Sequence, residues 1–277
     1  MAKITAAEVN KLRKATGAGM MDCKKALQES DGDYDAALDY LRKKGQKVAN
    51  KRADREVNEG VVIAKTNQDA TFAAILMLNC ETDFVAKNED FQNFAHSLVD
   101  KAIEIKAKSI DEIKAAEIDG TKADDLLTDM IGKIGEKLQI SDYAYIEGPI
   151  VFAYNHLGNK LGSIMAFNKK DVEGADEAGK QVKMQIAAMS PVSLDKDSVP
   201  QDVIEHELEL GREQARQEGK PDHLIEKIAE GKLNKFYKDS TLLNQEFVRD
   251  SKKTVRQYLS ELDKDLTVSE FKRLSLV

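Results

Sequence analysis

Cysteine, proline and tryptophan are scarce or missing in these 277 residues: two, four and none. Cys23 and Cys80 lack metal-ligand spacing, and His96, His156, His206 and His223 are scattered and pair with neither. A zinc site is therefore not expected, and the two thiols read as reduced and mostly buried. No apolar run approaches the ~18 residues of a membrane-spanning helix. The start, Met1-Ala2-Lys3-Ile4-Thr5, has neither a signal-peptide core nor the look of a transit peptide, so a cytoplasmic protein away from membranes is expected. Excess positive charge is missing too. The 42 basic against 49 acidic residues give −7, which disfavours unselective contact with nucleic acid. The basic stretch from Lys43 to Arg55 has no interleaved aromatics and reads as a solvated linker or exposed helix. Nucleophile triads, paired acid–base carboxylates and zinc spacings are absent as recognisable patterns, which argues against an enzyme and against a bound metal or cofactor. Gly17-Ala18-Gly19 neither follows a strand nor leads into Gly-Lys-Ser/Thr, so it is not a phosphate loop.

What is present is a soluble, helix-rich composition, 42% apolar and 33% charged, long enough for several domains. Ile4, Val9 and Leu12 mark a first helix, broken at Thr16-Gly17-Ala18-Gly19. Met20 to Glu29 forms a second, and Asp31-Gly32 turns the chain. Asp33 caps a third, with Ala37, Leu38 and Leu41 inward and Gly45 as its stop. Residues 1–55 thus form a small three-helix domain with a linker. A repeat follows. Gly60 to Thr66 and Phe72 to Asn79 predict a hairpin turned at Asn67-Gln68-Asp69, with a helix over Glu89 to Lys106. Gly148 to Tyr154 and Leu161 to Asn168 predict a second, turned around Leu157-Gly158-Asn159, with a helix over Ala175 to Met189. Segments at Tyr143 to Ile146 and Leu266 to Val277 add a third strand to each. The expectation is α+β, with two repeated sheet-plus-helix subdomains, 56–147 and 148–197 completed by 239–277. Between them, 198–238 reads as an inserted antiparallel helical hairpin. Ser198 and Pro200 start it, Val203, Ile204, Leu208 and Ala215 give a thin stripe, and Gly219-Lys220-Pro221 turns into Leu224, Ile225, Ile228 and Leu233. Such a stripe needs a neighbour, its own core or a partner's.

Thr82-Asp83-Phe84-Val85 lies between a buried strand and a helix capped by Asn88. Two local readings stand. Either Asp83 satisfies loop amides and Phe84 packs back on the core, or the turn presents an exposed aromatic beside a carboxylate. Met20 and Met21 are adjacent and cannot both face one small core, so at least one is exposed or only partly buried. His156 falls at a hairpin tip, where an imidazole is more often solvated than catalytic.

Thr16-Gly17-Ala18-Gly19-Met20-Met21-Asp22-Cys23-Lys24-Lys25-Ala26-Leu27 resembles the N-terminal signature of the bacterial elongation factor Ts family, and Asn79-Cys80-Glu81-Thr82-Asp83-Phe84-Val85-Ala86-Lys87 resembles its second. The order of modules extends the resemblance over nearly the whole chain. It implies an N-terminal domain like the ubiquitin-associated fold, a core of two repeated subdomains and a coiled-coil insertion. It also implies guanine-nucleotide exchange on elongation factor Tu during protein biosynthesis, without a chemical step. By resemblance, Thr82, Asp83, Phe84 and Val85 form the loop that disturbs the partner's magnesium site. Leu12, Met20 and Met21 meet its nucleotide-binding domain, His156 adds a contact, and the hairpin serves partner or homo-oligomer contacts. Members commonly continue past the last core strand, in some into a further helical module, whereas this sequence stops at Leu276-Val277. Two rivals from the residues alone are an enzyme using the cleft between the repeats and a passive, chaperone-like binding module.

Overall fold

In the computed structural model, residues 4–276 are described; Met1 to Lys3 of the expected first domain and Val277 of the expected last strand lie outside the described residues. Three helices come first: α1 (Ala6–Thr16), α2 (Met20–Glu29) and α3 (Tyr34–Lys51). Thr5 and Glu8 close a reciprocal capping box on α1, and Gly17 ends that helix with φ +64°, a conformation glycine adopts without a Cβ penalty. Asp33 caps α3 through the Ala36 amide, as expected. Leu12, Cys23, Leu27 and Ala37 form the buried centre of this bundle. Gly45 does not stop α3, which runs on to Lys51. Its missing side chain instead lets another helix come close, as described below.

The chain then forms β1 (Glu59–Thr66), β2 (Phe72–Cys80), the single turn α4 (Asp83–Ala86), α5 (Glu89–Glu104), α6 (Ile110–Ala115), a two-residue pair β3 (Glu117–Ile118) and β4 (Thr121–Lys122), α7 (Ala123–Ile134) and β5 (Gln139–Glu147). A second series follows: β6 (Ile150–Asn155), β7 (Leu161–Phe167), α8 (Ala175–Met189), α9 (Gln201–Gln217), α10 (Asp222–Ser240), β8 (Glu246–Phe247), β9 (Asp250–Thr254), α11 (Val255–Leu262) and β10 (Val268–Ser275). The class is α+β, with small antiparallel sheets. Two sheets have three strands, in the orders β1-β2-β5 and β10-β7-β6.

Strands β1 and β2 read as nearly unbroken apolar runs because both of their faces are buried. Val61, Ile63, Phe72, Ala74, Leu76 and Leu78 point to a core shared with α5 and α7. The alternate residues Val62, Ala64, Ala73 and Ile75 pack on Val151, Ile164 and Ala166 of the other sheet. That second sheet uses Met165 and Phe167 on its far face, against α8 and α11. Its β6–β7 hairpin also hooks the outer edge of β1. The Val62 amide donates to the Asn159 carbonyl at 2.6 Å, while the Asn155 side chain accepts from Ala64 N and donates to Ala64 O, both at 2.7 Å. The edge of β1 is thereby closed to foreign strands.

Helix α7 joins the N-terminal bundle to this core. A Cβ on Gly45 would lie 2.5 Å from the Thr128 carbonyl oxygen, and one on Gly132 would lie 3.1 Å from Gly45 Cα. Arg42 pairs with Asp125 and Asp129 beside that crossing. Helices α9 and α10 make an antiparallel hairpin in which Gly211 lies against Ala229, and Gly219 turns with φ +68°. Ser198 does not cap α9. It belongs to a short 3-10 turn, Lys196–Ser198, and its hydroxyl closes a capping box with Asp195; Pro200 stands at the α9 N-cap. Among the described residues no helix is long and apolar enough to cross a membrane.

Alanine at the two kinds of helical glycine separates packing from propensity. Gly45→Ala gains about 1 kcal/mol of helix propensity but drives a methyl into a backbone carbonyl, an overpacking cost of about 1–3 kcal/mol. A lowered unfolding midpoint is expected. Gly231→Ala, with nothing within 4 Å of the new methyl, is expected to raise it. Denaturant titration of both variants reads the contrast, and a stabilised Gly45→Ala would contradict the close crossing.

Candidate functional site

The β2–α5 connection is short and held at almost every position. Thr82 caps α4, its hydroxyl accepting from the Val85 amide at 3.4 Å. The same hydroxyl donates to Glu136 Oε1 at 2.7 Å, and Glu136 Oε2 accepts from the amides of Thr82 and Glu81 at 3.1 and 3.2 Å. Glu81 answers in the opposite direction, accepting from the Lys137 amide at 2.6 Å and from Arg52 of the α3 C-terminus at 2.8 and 2.7 Å. Burial pushes the Glu81 carboxyl up, but the Lys137 amide and the Arg52 guanidinium outweigh it and hold the group below the usual range. Asn88 caps α5 as expected. The Cys80 thiol lies beneath the loop and donates to the Thr82 carbonyl at 3.1 Å; burial, with Glu136 adding, pushes it up to about 12. It is a packed thiol, not a nucleophile.

On this mount the four singled-out residues differ. Val85 is half-buried against the core below the first sheet, and Thr82 is the cap. Asp83 is bonded by Lys87 at 2.7 Å, and that hydrogen bond, with Lys160 adding charge, holds its carboxyl below the ordinary value. Phe84 is 81% exposed. It does not pack back on the core, and the Asp83 carboxylate accepts from Lys87. Lys160 also pairs with Glu59 at 2.9 Å, which brings the β6–β7 tip to the same end of the molecule as the loop. At that tip His156 is exposed, with Nδ1 2.9 Å from the Tyr154 hydroxyl, and its neighbour Leu157 is 94% exposed.

The N-terminal bundle reaches the same region from another side. Lys133 near the end of α7 pairs with Asp90 in the first turn of α5 at 2.6 Å, and a Cβ on Gly17 would lie 2.7 Å from its Nζ. Just past Gly17, Met20 and Met21 are 54% and 73% exposed on the outer face of α2, ahead of the exposed Lys24 and Lys25. Leu12 is different: it is fully buried among the bundle residues, so the expectation that it contacts a partner directly gives way to a packing role. Together these features leave exposed apolar side chains on three separate, well-tethered elements. Sequence reasoning did not single out Leu157, Glu136 or Lys160. A large apolar residue next to a turn glycine was the available signal for Leu157, whereas Glu136 lies 54 residues from Thr82 with no local cue.

A model of the family described as Elongation factor TS matches residues 81–276. The curated relative named Elongation factor Ts from Christiangramia forsetii is 50% identical over 276 residues, which covers 100% of each chain. The one from Cytophaga hutchinsonii is 50% identical over 277 residues, again 100% of both. The one from Chlorobium phaeobacteroides is 43% identical over 286 residues, covering 100% of this chain and 99% of that protein.

The split between packing and contact roles is measurable in the isolated protein. Leu12→Ala is expected to lower stability by about 2–5 kcal/mol. Phe84→Ala and Met21→Ala are expected to stay within about 0.5 kcal/mol of the parent. Equal losses at all three in urea unfolding would contradict the burial described for them.

Proposed function

The chain belongs to the elongation factor Ts family, the nucleotide-exchange factors of translation elongation, and we propose that it releases GDP from elongation factor Tu by inserting Phe84 beside that GTPase's magnesium and phosphate site. The observation that carries this reading is an unpacked phenyl ring on a loop whose backbone is fixed by Glu136. Burying such a ring in a partner's pocket gains roughly 1.5–3 kcal/mol, or about one to two decades in affinity. Since Phe84 is 81% exposed in the free protein, little of that gain is offset by lost internal contacts.

Exchange then follows from linkage. The factor binds nucleotide-free elongation factor Tu more tightly than the GDP-bound form, and GDP weakens the factor by the same ratio. Phe84 wedges packing apart near the magnesium ion, straining its ligands and the phosphate cradle. Asp83 is an ionised group already paired with Lys87, suited to positioning the turn or competing for the partner's polar groups and not to lasting coordination. Val85 and Thr82 keep the turn closed. Met20 and Met21 anchor the N-terminal bundle on the nucleotide-binding domain, and His156 adds a contact from the second sheet. No proton transfer or covalent step is needed, so the protein acts as a binding factor in the cytoplasm and not as an enzyme.

The domain reading belongs to the same proposal. Residues 1–55 form a ubiquitin-associated-like module with its linker. Residues 56–147, and 148–197 with 239–277, form two related halves of the core, and 198–238 form an arm. The matching three-strand orders of the two sheets support the repeat. Exposed Leu210 and Leu224 on the two-helix arm support its use in partner or homo-oligomer contacts, away from nucleic acid and membrane.

The test is release of a fluorescent GDP analogue from loaded elongation factor Tu. Phe84→Ala is expected to slow release by about one to two decades, with a smaller effect for Asp83→Ala. Wild-type release from both variants would sink the wedge. Binding without any acceleration by the parent protein would mark a passive binder.

A further inference from the structure

We infer that Glu136 is a positioning residue for Phe84, fixing the wedge loop in register with the N-terminal bundle. The inference rests on the exchange reading above and adds a residue to it. Gly135 ends α7 in the left-handed region with φ +81°, which turns Glu136 out of the helix and toward the loop. There its carboxylate holds two consecutive amides and the Thr82 hydroxyl, the same hydroxyl that caps α4. Phe84 lies two residues further on and is largely exposed, so the loop backbone does most to determine where the ring stands.

The other end of the bracket is the bundle. Gly132, one turn before Glu136, touches Gly45 of α3, and Lys133 reaches both Asp90 and the Gly17 break ahead of Met20. Glu81 returns the contact by accepting from Lys137 and from Arg52 of α3. Residues 132–137 therefore contact the bundle, the first turn of α5 and the Phe84 loop within six consecutive positions. A partner that engages the methionine face and the ring together meets them at a separation set by this segment. Without Glu136 the loop loses three of its tethers, while the methionine face keeps its own support. Affinity and wedging then separate.

Glutamine at 136 is close in shape. Its carbonyl oxygen can accept from both amides, and its NH2 can donate to the Thr82 hydroxyl, reversing one bond without losing it. The side chain of Glu136→Asp falls one methylene short. These differences give a test using full-length protein and elongation factor Tu loaded with fluorescent GDP, with release recorded against factor concentration. For Glu136→Ala the plateau rate is expected to fall about tenfold or more, the scale of a misplaced reacting or wedging group. The half-saturating concentration should move far less. Glu136→Gln should restore most of the plateau. Because Glu136 acts through Phe84, the double variant should be no slower than Phe84→Ala alone.

A wild-type plateau for Glu136→Ala beside a slow Phe84→Ala would overturn the positioning role and leave the wedge intact. So would single effects that multiply in the double variant, or a Gln variant as slow as Ala. A wild-type plateau for Phe84→Ala would overturn the wedge itself. Circular dichroism monitors folding, and if Glu136→Ala does not fold, Glu136→Asp carries the same expectations.

Discussion

Strands β1 and β2 are buried on both faces, and the rest of the structure is arranged around that constraint. A three-stranded sheet with one wet face would leave Val62, Ala64, Ala73 and Ile75 in water. The second sheet covers them, and α5 and α7 cover the alternate residues. Each fully buried aliphatic side chain contributes on the order of 1.5–3 kcal/mol, so the two hairpins are held together far more firmly than their polar links alone could manage. The Asn155 clamp on Ala64 adds register to that burial. Once β1 and β2 are fixed, Cys80 is fixed, and with it the point from which the loop of residues 82–85 departs.

That loop reconciles two demands that usually conflict. A residue meant to enter a partner's pocket must be free of its own protein, yet freedom of the backbone beneath it would raise the ordering cost on binding. Here the backbone is immobilised by carboxylates at 81 and 136, by a threonine cap, by half-buried Val85 and by buried Ala86, while the phenyl ring is left largely exposed. The pairing of Asp83 with Lys87 is exposed and contributes little to stability. Its effect is to keep the carboxylate ionised and turned to one side of the ring.

Local chemistry explains which parts were legible in the sequence. Asp33 and Asn88 are side-chain caps within four residues of the amides they serve, so their helices could be read directly, and the first helix could be read from the spacing of its apolar residues. The hairpins were legible from apolar runs bounded by turns. Helix α7 carries Leu127, Ile131 and Ile134 at helical spacing, but its N-cap, Lys122, makes no side-chain cap bond to mark the start. Gly45 marks a close approach and not a stop; a helical glycine can signal either, and only the position of Thr128 tells which. Leu12 lies outside the signature at residues 16–27, and the contact expected of it rests on its nearness to Met20 and Met21, whereas its spacing with Val9 fits the inward face. Phe84 stood out from its loop context, but Glu136, which bonds that loop at Glu81 and Thr82, lies beyond any local pattern.

Both native thiols are enclosed, Cys23 in the helical bundle and Cys80 under the loop, and burial pushes each above the ordinary thiol value. The folded protein therefore offers a silent background to thiol-directed reagents. A single cysteine introduced by Leu157→Cys, or at the exposed Met21, would be the one site that takes a fluorophore or spin label under native conditions. With one such cysteine at each position, the distance between the methionine face of the three-helix bundle and the hairpin tip could be followed through a cycle of partner binding and release without removing either natural cysteine.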